Sequence, residues 1–541
     1  MIGTKDDSRA DALLVGYERQ ENLGLRSIMA YLKAHGRHAV LVPFCPGYDG
    51  PVFSAVQQYN PRLVGFSLIF QYTLDEFGKL MRHLRSNGVT AHFTAGGHFP
   101  SLRPEETLDL IPELDSIVRF EGEVTLLELL EHLGHPALWK QIPGLAFRNG
   151  AETMISKPRP LVSDLDGLPL LYRDEPQQMA GGVKVAAMLA SRGCLFDCSF
   201  CSIRQFYGAS QGILRRVRSP KAVANEMLGL YNEKSIRFFS FQDDDFAARS
   251  PAQKRWLKAF LKELEKTKLA GKVAWKISCR VDDLESETFK MMLDHGLIAV
   301  YLGVESGNDA GLKTLNKHVC VKQNLAAIDL LKQQNVAMAI GFMLFDPSST
   351  IDTVRQNIDF LRTVGEDGYF PINFCKMLPY AGTPIEARLR DEGRLKGTVT
   401  QPDYGFSDPT LDWYEFLVQK AFSRRNFSPD GIVALLQQAD FDWRLATYFA
   451  PTGSKQDFGK ALNQIVRPTN ILAIETLESL LEDVLTYGID FLLKDQNRLI
   501  SLFEQEWHGE MKAEVSLKQL VVSDAVTSGL PLDDLLTTEN Q

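Results

Sequence analysis

The stretch Ser191-Arg192-Gly193-Cys194-Leu195-Phe196-Asp197-Cys198-Ser199-Phe200-Cys201 carries three cysteines in a C-x3-C-x2-C run. It follows an apolar, strand-like segment at residues 185–190. Three thiolates on one tight loop can bind three irons of a 4Fe–4S cube, because soft sulfur ligands suit iron–sulfur clusters. The fourth iron is then left open to bind and reduce another molecule. Zinc is the alternative, but structural zinc sites usually have four ligands, and no further Cys or His lies nearby in the sequence.

Outward from this loop, strand-like and helical patterns alternate along the chain. Six strands are predicted, at residues 185–192, 237–243, 273–280, 299–306, 337–345 and 372–378. Six strand–helix units indicate a partial (β/α)6 barrel, in which the chemistry takes place at the carboxyl ends of the strands. The cysteine loop follows the first of these strands, so the motif lies at the end of the barrel where a catalytic site is expected.

The N-terminal part of the chain shows the same alternation with shorter strands. These strands are predicted at residues 12–16, 38–44, 63–70, 91–95 and 116–120. Five apolar strands separated by helices indicate a doubly wound, flavodoxin-like parallel sheet and hence an α/β fold. Ligands of such sheets bind beyond the carboxyl ends of the strands. The loops after Gly16, Phe66 and Thr94 are therefore candidate binding loops.

The patterns divide the chain into four segments. We predict a sheet domain at residues 1–136, a linker rich in Pro and Asp at 137–182, the barrel at 183–395 and a mostly helical C-terminal region at 396–541. The helical region is expected to close the barrel and shape the pocket, and its polar, acidic last residues are expected to fray.

Composition narrows the class of protein. A net charge of −9 and a pI of about 5.7 argue against non-specific nucleic-acid binding. The longest apolar run, residues 336–345, is too short to cross a bilayer, which needs about 20 residues. The N-terminus does not resemble a signal peptide. Seven cysteines, an odd number with three in one cluster, argue against a disulfide framework and for a reducing cytoplasm.

The cysteine motif, with the aromatic Phe200 just before its third cysteine, resembles the signature of the radical S-adenosylmethionine (SAM) enzymes. The resemblance implies that Cys194, Cys198 and Cys201 bind a 4Fe–4S cluster whose open iron chelates the amino and carboxylate groups of SAM. One electron from the cluster then cleaves SAM to methionine and a 5′-deoxyadenosyl radical, which takes a hydrogen atom from the substrate. A reductant protein such as a flavodoxin or ferredoxin would supply the electron.

The same resemblance assigns residues around SAM. Phe200 should lie beside the adenine. Asp243 or Asp244, after the second barrel strand, should accept a hydrogen bond from the SAM amino group, because adjacent carboxylates are costly unless they face a cation or water; a solvated loop is the alternative. Arg280 offers a bidentate partner for the methionine carboxylate. Glu305, in a G-x-E-S-G sequence at the end of the fourth strand, is assigned to SAM or the substrate.

The N-terminal sheet resembles the cobalamin-binding domain of one radical SAM subclass. The cobalamin pattern consists of D-x-H-x-x-G, S-x-L and G-G, and this chain keeps the spacing between the three parts. The matching positions are Arg19, Glu21, Gly24, Ser67, Gly96 and Gly97. Gly96 and Gly97 let the backbone pass close to a bulky nucleotide tail, and Ser67 offers a hydroxyl at a strand end.

One departure concerns the cobalt ligand. Arg19 and Glu21 stand where the pattern has Asp and His, so no histidine of this loop would coordinate the lower face of cobalamin. Members of the radical SAM subclass often lack this histidine. A flavodoxin-like domain that binds nothing is the alternative. The stretch Phe120-Glu121-Gly122-Glu123 also resembles the subclass, which commonly has G-E-G-E at this place.

These resemblances imply a cobalamin-dependent radical SAM enzyme, and favour a methyltransferase that acts on an unactivated carbon of a small molecule, natural product or peptide. One SAM would supply the methyl group through cobalamin, and a second SAM would supply the radical. A cyclase or rearrangement enzyme without methyl transfer is an alternative with the same fold. An iron–sulfur sensor or electron-transfer protein is an alternative of a different class.

Overall fold

The computed structural model describes residues 9–18, 20–173, 178–246, 249–450, 454–489, 492 and 496–528. Within these residues, two seven-stranded sheets carry the fold, and helices cover them. The α/β class, the flavodoxin-like first sheet, the partial barrel and the helical C-terminal region predicted from the sequence are confirmed. Arg19 lies outside the described residues.

Seven strands form the first sheet: β1 Ala12–Gly16, β2 Ala39–Pro43, β3 Leu63–Ser67, β4 His92–Gly96, β5 Ser116–Val118, β6 Leu145–Asn149 and β7 Glu152–Ile155. Their order across the sheet is β2-β1-β3-β4-β5-β6-β7, and β1 to β5 are parallel. This is the flavodoxin-like order, with the chain reversing direction across the sheet at β1 and β3.

Both faces of the first sheet are buried under helices. Leu13 and Val15 pack into one core layer, and Ala12 and Leu14 pack into the other. Side chains alternate along a strand, so a strand covered on both faces reads as a continuous apolar run. The helices of this part are α1 Leu23–Ala34, α2 Gly50–Tyr59, α3 Leu74–Ser86, α4 His98–Leu102, α5 Pro104–Leu110, α6 Glu123–Glu131 and α7 Pro136–Trp139.

The predicted linker at 137–182 contains regular structure that the sequence analysis missed. Strands β6 and β7 form an antiparallel hairpin that extends the first sheet at its edge. The turn consists of Gly150 and Ala151, and Gly150 has a positive φ of 69°. Two-residue hairpin turns need such a residue. The signal was therefore present as Asn149-Gly150, but the sequence analysis assigned the whole of 137–182 to a linker.

The second sheet is built from β8 Gln178–Ala180, β9 Val183–Met188, β12 Ile236–Phe241, β13 Ala274–Arg280, β14 Leu297–Glu305, β15 Ala337–Phe345 and β16 Cys375–Lys376. Strand β9 and strands β12 to β16 are parallel and adjacent in chain order. Two short two-stranded antiparallel sheets lie outside it, β10 Ser191–Arg192 with β11 Arg216–Val217, and β17 Leu395–Gly397 with β18 Pro402–Tyr404.

The sixth barrel strand is shorter than predicted. The sequence predicts a strand over 372–378, but only Cys375–Lys376 pairs with β15. Side chains of the helical region replace the missing ladder: Asn470 Oδ1 accepts a hydrogen bond from the Ile372 amide at 3.0 Å, and Asn426 Nδ2 donates to the Phe374 carbonyl at 2.9 Å. The backbone groups are satisfied without a strand, which no local pattern can reveal.

The remaining helices cover the barrel. Eight of them lie between the barrel strands or follow them: α8 Ile203–Gly208, α9 Pro220–Glu233, α10 Pro251–Lys266, α11 Ser286–Asp294, α12 Asp309–Thr314, α13 Val321–Gln333, α14 Ile351–Gly365 and α15 Pro384–Asp391. The C-terminal region contributes α16 Pro409–Phe427, α17 Ile432–Phe449, α18 Ser454–Tyr487 and α19 Gln496–Ser528. In the described part of the chain, no helix is long and apolar enough to span a membrane.

Helix α17 closes the amino-terminal end of the barrel, opposite the cysteine loop. Its Leu445 is fully buried against Phe238 and Ala274, the residues that begin the inner faces of β12 and β13. The ring of Phe441 meets Phe238 edge-on, with 4.9 Å between the centroids. These apolar contacts form the floor of the barrel.

We expect Leu445→Ala to lower the free energy of unfolding by about 2–5 kcal/mol, because it leaves a cavity beneath the barrel floor. Leu485→Ala is the matched control, since Leu485 is 40% exposed and Leu445 is fully buried. Urea denaturation followed by circular dichroism measures both variants. Equal midpoints would show that α17 does not support the barrel.

Candidate active site between the two sheets

The carboxyl ends of both sheets open onto one cavity of about 800 Å³. This volume lies in the upper part of the range for ligand sites in proteins. Residues of the cobalamin pattern and of the cysteine loop line the same space: Glu21, Gly24, Ser67, Gly96, Gly97, Phe200 and Cys201. Residues that the sequence analysis assigned to two different cofactors thus share one continuous cavity.

Gly97 shapes the N-terminal wall of the cavity. Its φ of 117° suits glycine alone, and a side-chain carbon there would lie 2.4 Å from the Leu68 carbonyl oxygen. Ser67, at the end of β3, accepts a hydrogen bond from Asn22 Nδ2 at 3.2 Å. Asn22 also caps α1, because its Oδ1 accepts from the Leu25 amide at 3.1 Å. The wall is therefore backbone and small side chains, which leaves room for a bulky group.

Glu21 stands where the cobalamin pattern has its histidine, and it is bound to the barrel. Its carboxylate accepts hydrogen bonds from Arg173 and, at 2.6 Å, from the amide of Ala187 on β9. The side chain is only 9% exposed. Glu21 therefore forms a buried contact that joins the two sheets.

The Glu121-Gly122-Glu123 stretch forms a second set of contacts between the two sheets. Arg192, two residues before Cys194, donates to Glu121 at 3.0 Å and to Glu123 at 2.7 Å. Arg216 also donates to Glu121, at 2.9 Å. Burial opposes the charge of Glu123, but Arg192 and the Ser27 hydroxyl outweigh it and lower the Glu123 pKa. These ion pairs position the start of the cysteine loop against the first sheet.

The cysteine loop is held by backbone and side-chain contacts on both sides. Gly193 has a φ of 85°, and a side-chain carbon there would lie 1.9 Å from the Leu214 carbonyl oxygen. The Ser199 amide donates to the Leu315 carbonyl at 3.0 Å, and Asn316 Nδ2 donates to the Asp197 carbonyl at 3.0 Å. The loop conformation is thus fixed by neighbouring protein groups.

The three thiols lie in a desolvated environment. Burial raises the pKa of Cys194 to about 12 and that of Cys201 to about 11, and it also raises the pKa of Cys198. Iron binding must therefore release protons, because the thiolate is the ligand. Among the described residues, no group of three Cys, His, Asp or Glu side chains converges on a single metal ion. A cube does not need this convergence, since each cysteine binds a different iron.

Arg280 contacts the cysteine loop directly. Its Nη1 lies 3.6 Å from Cys198 Sγ, its Nε donates to Asp282 at 3.0 Å, and its Nη2 donates to the Lys317 carbonyl. The guanidinium also stacks on Phe196, 3.8 Å from the ring centroid. These contacts use three of the five guanidinium N–H groups, so one N–H on each Nη remains for the predicted pairing with the methionine carboxylate.

Glu305 pairs with a lysine that the sequence analysis missed. Lys317 Nζ donates to Glu305 at 2.8 Å, and both side chains are nearly buried. Although burial opposes the charge of Lys317, Glu305 raises its pKa. Glu305 has a positive φ of 68°, and such strain at a non-glycine residue is concentrated at functional sites. A lysine twelve residues beyond the end of a strand carries no local sign of this pairing.

The two candidate aspartates differ in their surroundings. Asp243 is buried and accepts hydrogen bonds from the Ala190 amide and the Ser191 hydroxyl, and burial raises its pKa to about 6. Asp244 accepts one hydrogen bond, from the Gly193 amide at 2.8 Å, and lines the cavity. The carboxylate of Asp243 is therefore used in hydrogen bonds within the protein, whereas that of Asp244 can still bind a ligand.

Aromatic side chains join the two halves of the cavity. Phe200 lines the cavity and packs on the barrel core. His98, directly after Gly97, stacks on Phe206 with 4.4 Å between centroids, and its Nδ1 lies 3.0 Å from the Ser202 hydroxyl. Burial lowers the His98 pKa to about 4, so the ring is neutral at pH 7. The sequence analysis missed His98.

Two family models match this chain. The B12 binding domain matches residues 12–130, and the Radical SAM superfamily matches residues 188–361. This chain is a member of the radical SAM superfamily with a B12-binding domain. The radical SAM domain implies a 4Fe–4S cluster and SAM, and the B12-binding domain supports cobalamin as a third ligand.

The relatives of this radical SAM protein include different activities. An uncharacterized methyltransferase of Pyrococcus horikoshii is 27% identical over 391 residues, which cover 71% of this chain and 79% of the relative. An anaerobic magnesium-protoporphyrin IX monomethyl ester cyclase of Cereibacter sphaeroides is 30% identical over 352 residues, which cover 62% of this chain and 54% of the relative. The chain thus spans about half the length of that cyclase.

A solved structure shares the whole architecture. The cobalamin-dependent S-adenosylmethionine radical enzyme OxsB, with aqua-cobalamin and S-adenosylmethionine bound, has a TM-score of 0.67 at 17% identity. The similarity covers 97% of this chain and 82% of OxsB. At this identity it concerns the fold alone, and it includes the helical C-terminal region.

The residues of the radical SAM and B12-binding domains fit these groups. The cluster would be held by Cys194, Cys198 and Cys201, with Arg280 beside one sulfur. Cobalamin would pack against the cavity wall formed by Ser67 and Gly97. Glu21 is bound to Arg173 and the backbone of β9, so the loop that carries it offers no histidine to cobalt.

We expect Cys198→Ala to abolish the cluster, because two thiolates cannot replace the third iron ligand. Iron content and visible absorbance after anaerobic reconstitution measure this loss, and circular dichroism should show a folded protein. Cys45→Ala is the control, since Cys45 is exposed and lies outside the loop. Iron at the wild-type level in Cys198→Ala would contradict the cluster assignment.

We expect Gly97→Ala to weaken cobalamin binding about tenfold or more, because the strained backbone must move away from Leu68 and reshape the cavity wall. Cobalamin retained after gel filtration is the measurement. Gly88→Ala is the matched control: Gly88 also has a positive φ, of 80°, but no atom lies within 4 Å of an added side-chain carbon. Equal retention in both variants would argue against a cobalamin wall at Gly97.

Proposed function

We propose that this protein is a cobalamin-dependent radical SAM methyltransferase that methylates an unactivated carbon of a small molecule, natural product or peptide. The single cavity shared by Gly97 and Cys201 carries this proposal. A methyl carrier and a radical source must both reach the substrate carbon, and a shared cavity allows that without a moving domain. When bound, the cluster supplies the electron that cleaves SAM, and cobalamin carries the methyl group.

The residues around the cluster would orient SAM. Asp244 is placed to accept a hydrogen bond from the SAM amino group, since its carboxylate faces the cavity. Phe200 would pack against the adenine. Glu305, held by Lys317, would bind a polar group of SAM or of the substrate. Arg280 would stabilise the thiolate of Cys198, whose sulfur it contacts.

The ion pairs between the sheets would keep water and oxygen away from the radical. Arg192 is enclosed by Glu121 and Glu123, and Arg173 binds Glu21, so both edges of the junction are closed by partly or fully buried contacts. Exclusion of water protects reactive intermediates from side reactions. A flavodoxin or ferredoxin would deliver the electron in the reducing cytoplasm, which would also keep the four cysteines outside the cluster loop as free thiols.

A second candidate function is a cyclisation or rearrangement without methyl transfer. The anaerobic magnesium-protoporphyrin IX monomethyl ester cyclase of Cereibacter sphaeroides favours it, because it is 30% identical over 352 residues. The same cavity and the same cysteine loop would serve this reaction. The two functions differ in what happens to the methyl group of SAM.

The products of SAM therefore test the proposal before the substrate is known. SAM that gives up its methyl group becomes S-adenosylhomocysteine, whereas reductive cleavage yields 5′-deoxyadenosine. With protein loaded with cluster and cobalamin and reduced by titanium(III) citrate, we expect a burst of about one S-adenosylhomocysteine per bound cobalamin. Chromatography of the quenched reaction measures both products.

Cys198→Ala provides the matched control, because it should lose 5′-deoxyadenosine and keep the cobalamin-dependent burst. Protein without added cobalamin should lose the burst and keep 5′-deoxyadenosine. Formation of 5′-deoxyadenosine with no cobalamin-dependent S-adenosylhomocysteine would contradict methyl transfer and support the cyclase alternative.

A further inference from the structure

The inner faces of the barrel strands surround an accessible lumen. On β13, Trp275 and Ile277 pack into the outer core, while Lys276 and Ser278 between them remain partly accessible. Tyr301 on β14 is 49% exposed although its strand lies in the middle of the sheet. Because side chains alternate along a strand, these accessible residues face the inside of the barrel.

Lys276 lies one layer above the barrel floor. The strand pairing places Phe238 beside Ala274 at the floor, and Ser240 beside Lys276 in the next layer. On the other side, Lys276 is paired with Ala299. Gln242 connects this layer to the interdomain cavity. Its Nε2 donates a hydrogen bond to the Ser240 hydroxyl at 2.8 Å, and Gln242 itself lines the cavity.

Lys276 differs from two other buried lysines of the barrel domain in having no counter-ion. Lys317 pairs with Glu305 at 2.8 Å, and Lys376 pairs with Glu415 at 3.3 Å. Among the residues that the structure describes, Lys276 has neither a hydrogen-bond acceptor nor an ion-pair partner. Its surroundings are desolvated, which lowers its pKa. A charge in such a place is costly unless something pairs with it.

Two further polar groups of the lumen are unused. Within the described chain, the hydroxyls of Ser278 and Tyr301 also make no hydrogen bond. Tyr301 extends toward the carboxyl end of the barrel, since a side-chain carbon on Gly341 would lie 2.6 Å from its hydroxyl. An ammonium and two hydroxyls on neighbouring strands form a set of donors for an anionic, hydrogen-bonding group.

We propose that Lys276, with Ser278 and Tyr301, binds an anionic group of the substrate, a phosphate or a carboxylate, near the floor of the barrel. The substrate would enter with this group first and leave its reacting carbon near the cysteine loop. The proposal rests on the proposed function only in taking the lumen as the substrate site. It names the substrate class as anionic.

The spacing along β13 sets the size of such a substrate. Lys276 and Arg280 are four residues apart, which is about 13 Å at the usual rise of a strand. Arg280 is at the level of Cys198, which it contacts. After the length of the lysine side chain is subtracted, the anionic group would lie several bonds from the reacting carbon, about the length of a sugar or a short acyl chain.

Pyridoxal 5′-phosphate is a suitable probe, because pyridoxal is a matched compound that lacks only the phosphate. The neutral form of the Lys276 amine adds to the aldehyde and expels water while the Ser278 and Tyr301 hydroxyls hold the phosphate, and borohydride then reduces the imine to a stable secondary amine. The loaded protein is labelled under argon, and peptide mass spectrometry locates the label. We expect Lys276 to be labelled at about tenfold lower concentration of pyridoxal 5′-phosphate than of pyridoxal.

Lys272 is the internal control, because it is exposed and lies just before the same strand. It should discriminate little between the two reagents, and Lys276→Gln should remove only the phosphate-dependent label. Protection of Lys276 by inorganic phosphate would indicate a phosphate site, and equal protection by acetate would indicate a carboxylate site.

Equal labelling of Lys276 by both reagents, no label at Lys276, or no protection by either anion would overturn the proposal. None of these outcomes depends on SAM cleavage. Failure of this inference is therefore distinguishable from failure of the proposed function, which the products of SAM report.

Discussion

The buried ion pairs between the two sheets are the interaction on which the site depends. Arg192 lies between Glu121 and Glu123, with side chains 13%, 9% and 4% exposed. Removing the water around such charges is expensive, and the cost is recovered only when the partners meet in good geometry. Loss of one partner of a buried pair costs about 3–5 kcal/mol. The relative position of the sheets is thus held by contacts that tolerate little displacement.

This constraint fixes the distance between the two cofactor regions. Arg192 precedes Cys194 by two residues, and Glu121 and Glu123 follow the last parallel strand of the B12-binding domain. Glu21 adds a second contact between the domains at the position where the cobalamin pattern has its histidine. Glu21 therefore aligns the two domains at this position, and its loop supplies no imidazole to cobalt.

The buried charges of the barrel differ in how far the protein itself compensates them. Lys317 pairs with Glu305, and Arg280 contacts Cys198 and the Lys317 carbonyl, so protein groups compensate much of the charge beside the cysteine loop. Lys276 has no such partner in the described part of the chain. Unpaired charge inside a protein is stable only if a ligand or water compensates for it. The ammonium of Lys276 in the lumen can therefore still bind an anionic group, whereas Arg280, Lys317 and Glu305 already have partners within the protein.

The sequence by itself determined the order of strands, the α/β class and the cysteine and glycine motifs, because these depend on local periodicity and spacing. It did not show that Asp243 accepts a hydrogen bond from the Ser191 hydroxyl, or that Glu21 binds Arg173, which is 152 residues away. Partners so distant meet only when both sheets have formed. Alternation along β13 marks two faces, but only closure of the barrel decides that Lys276 faces the lumen.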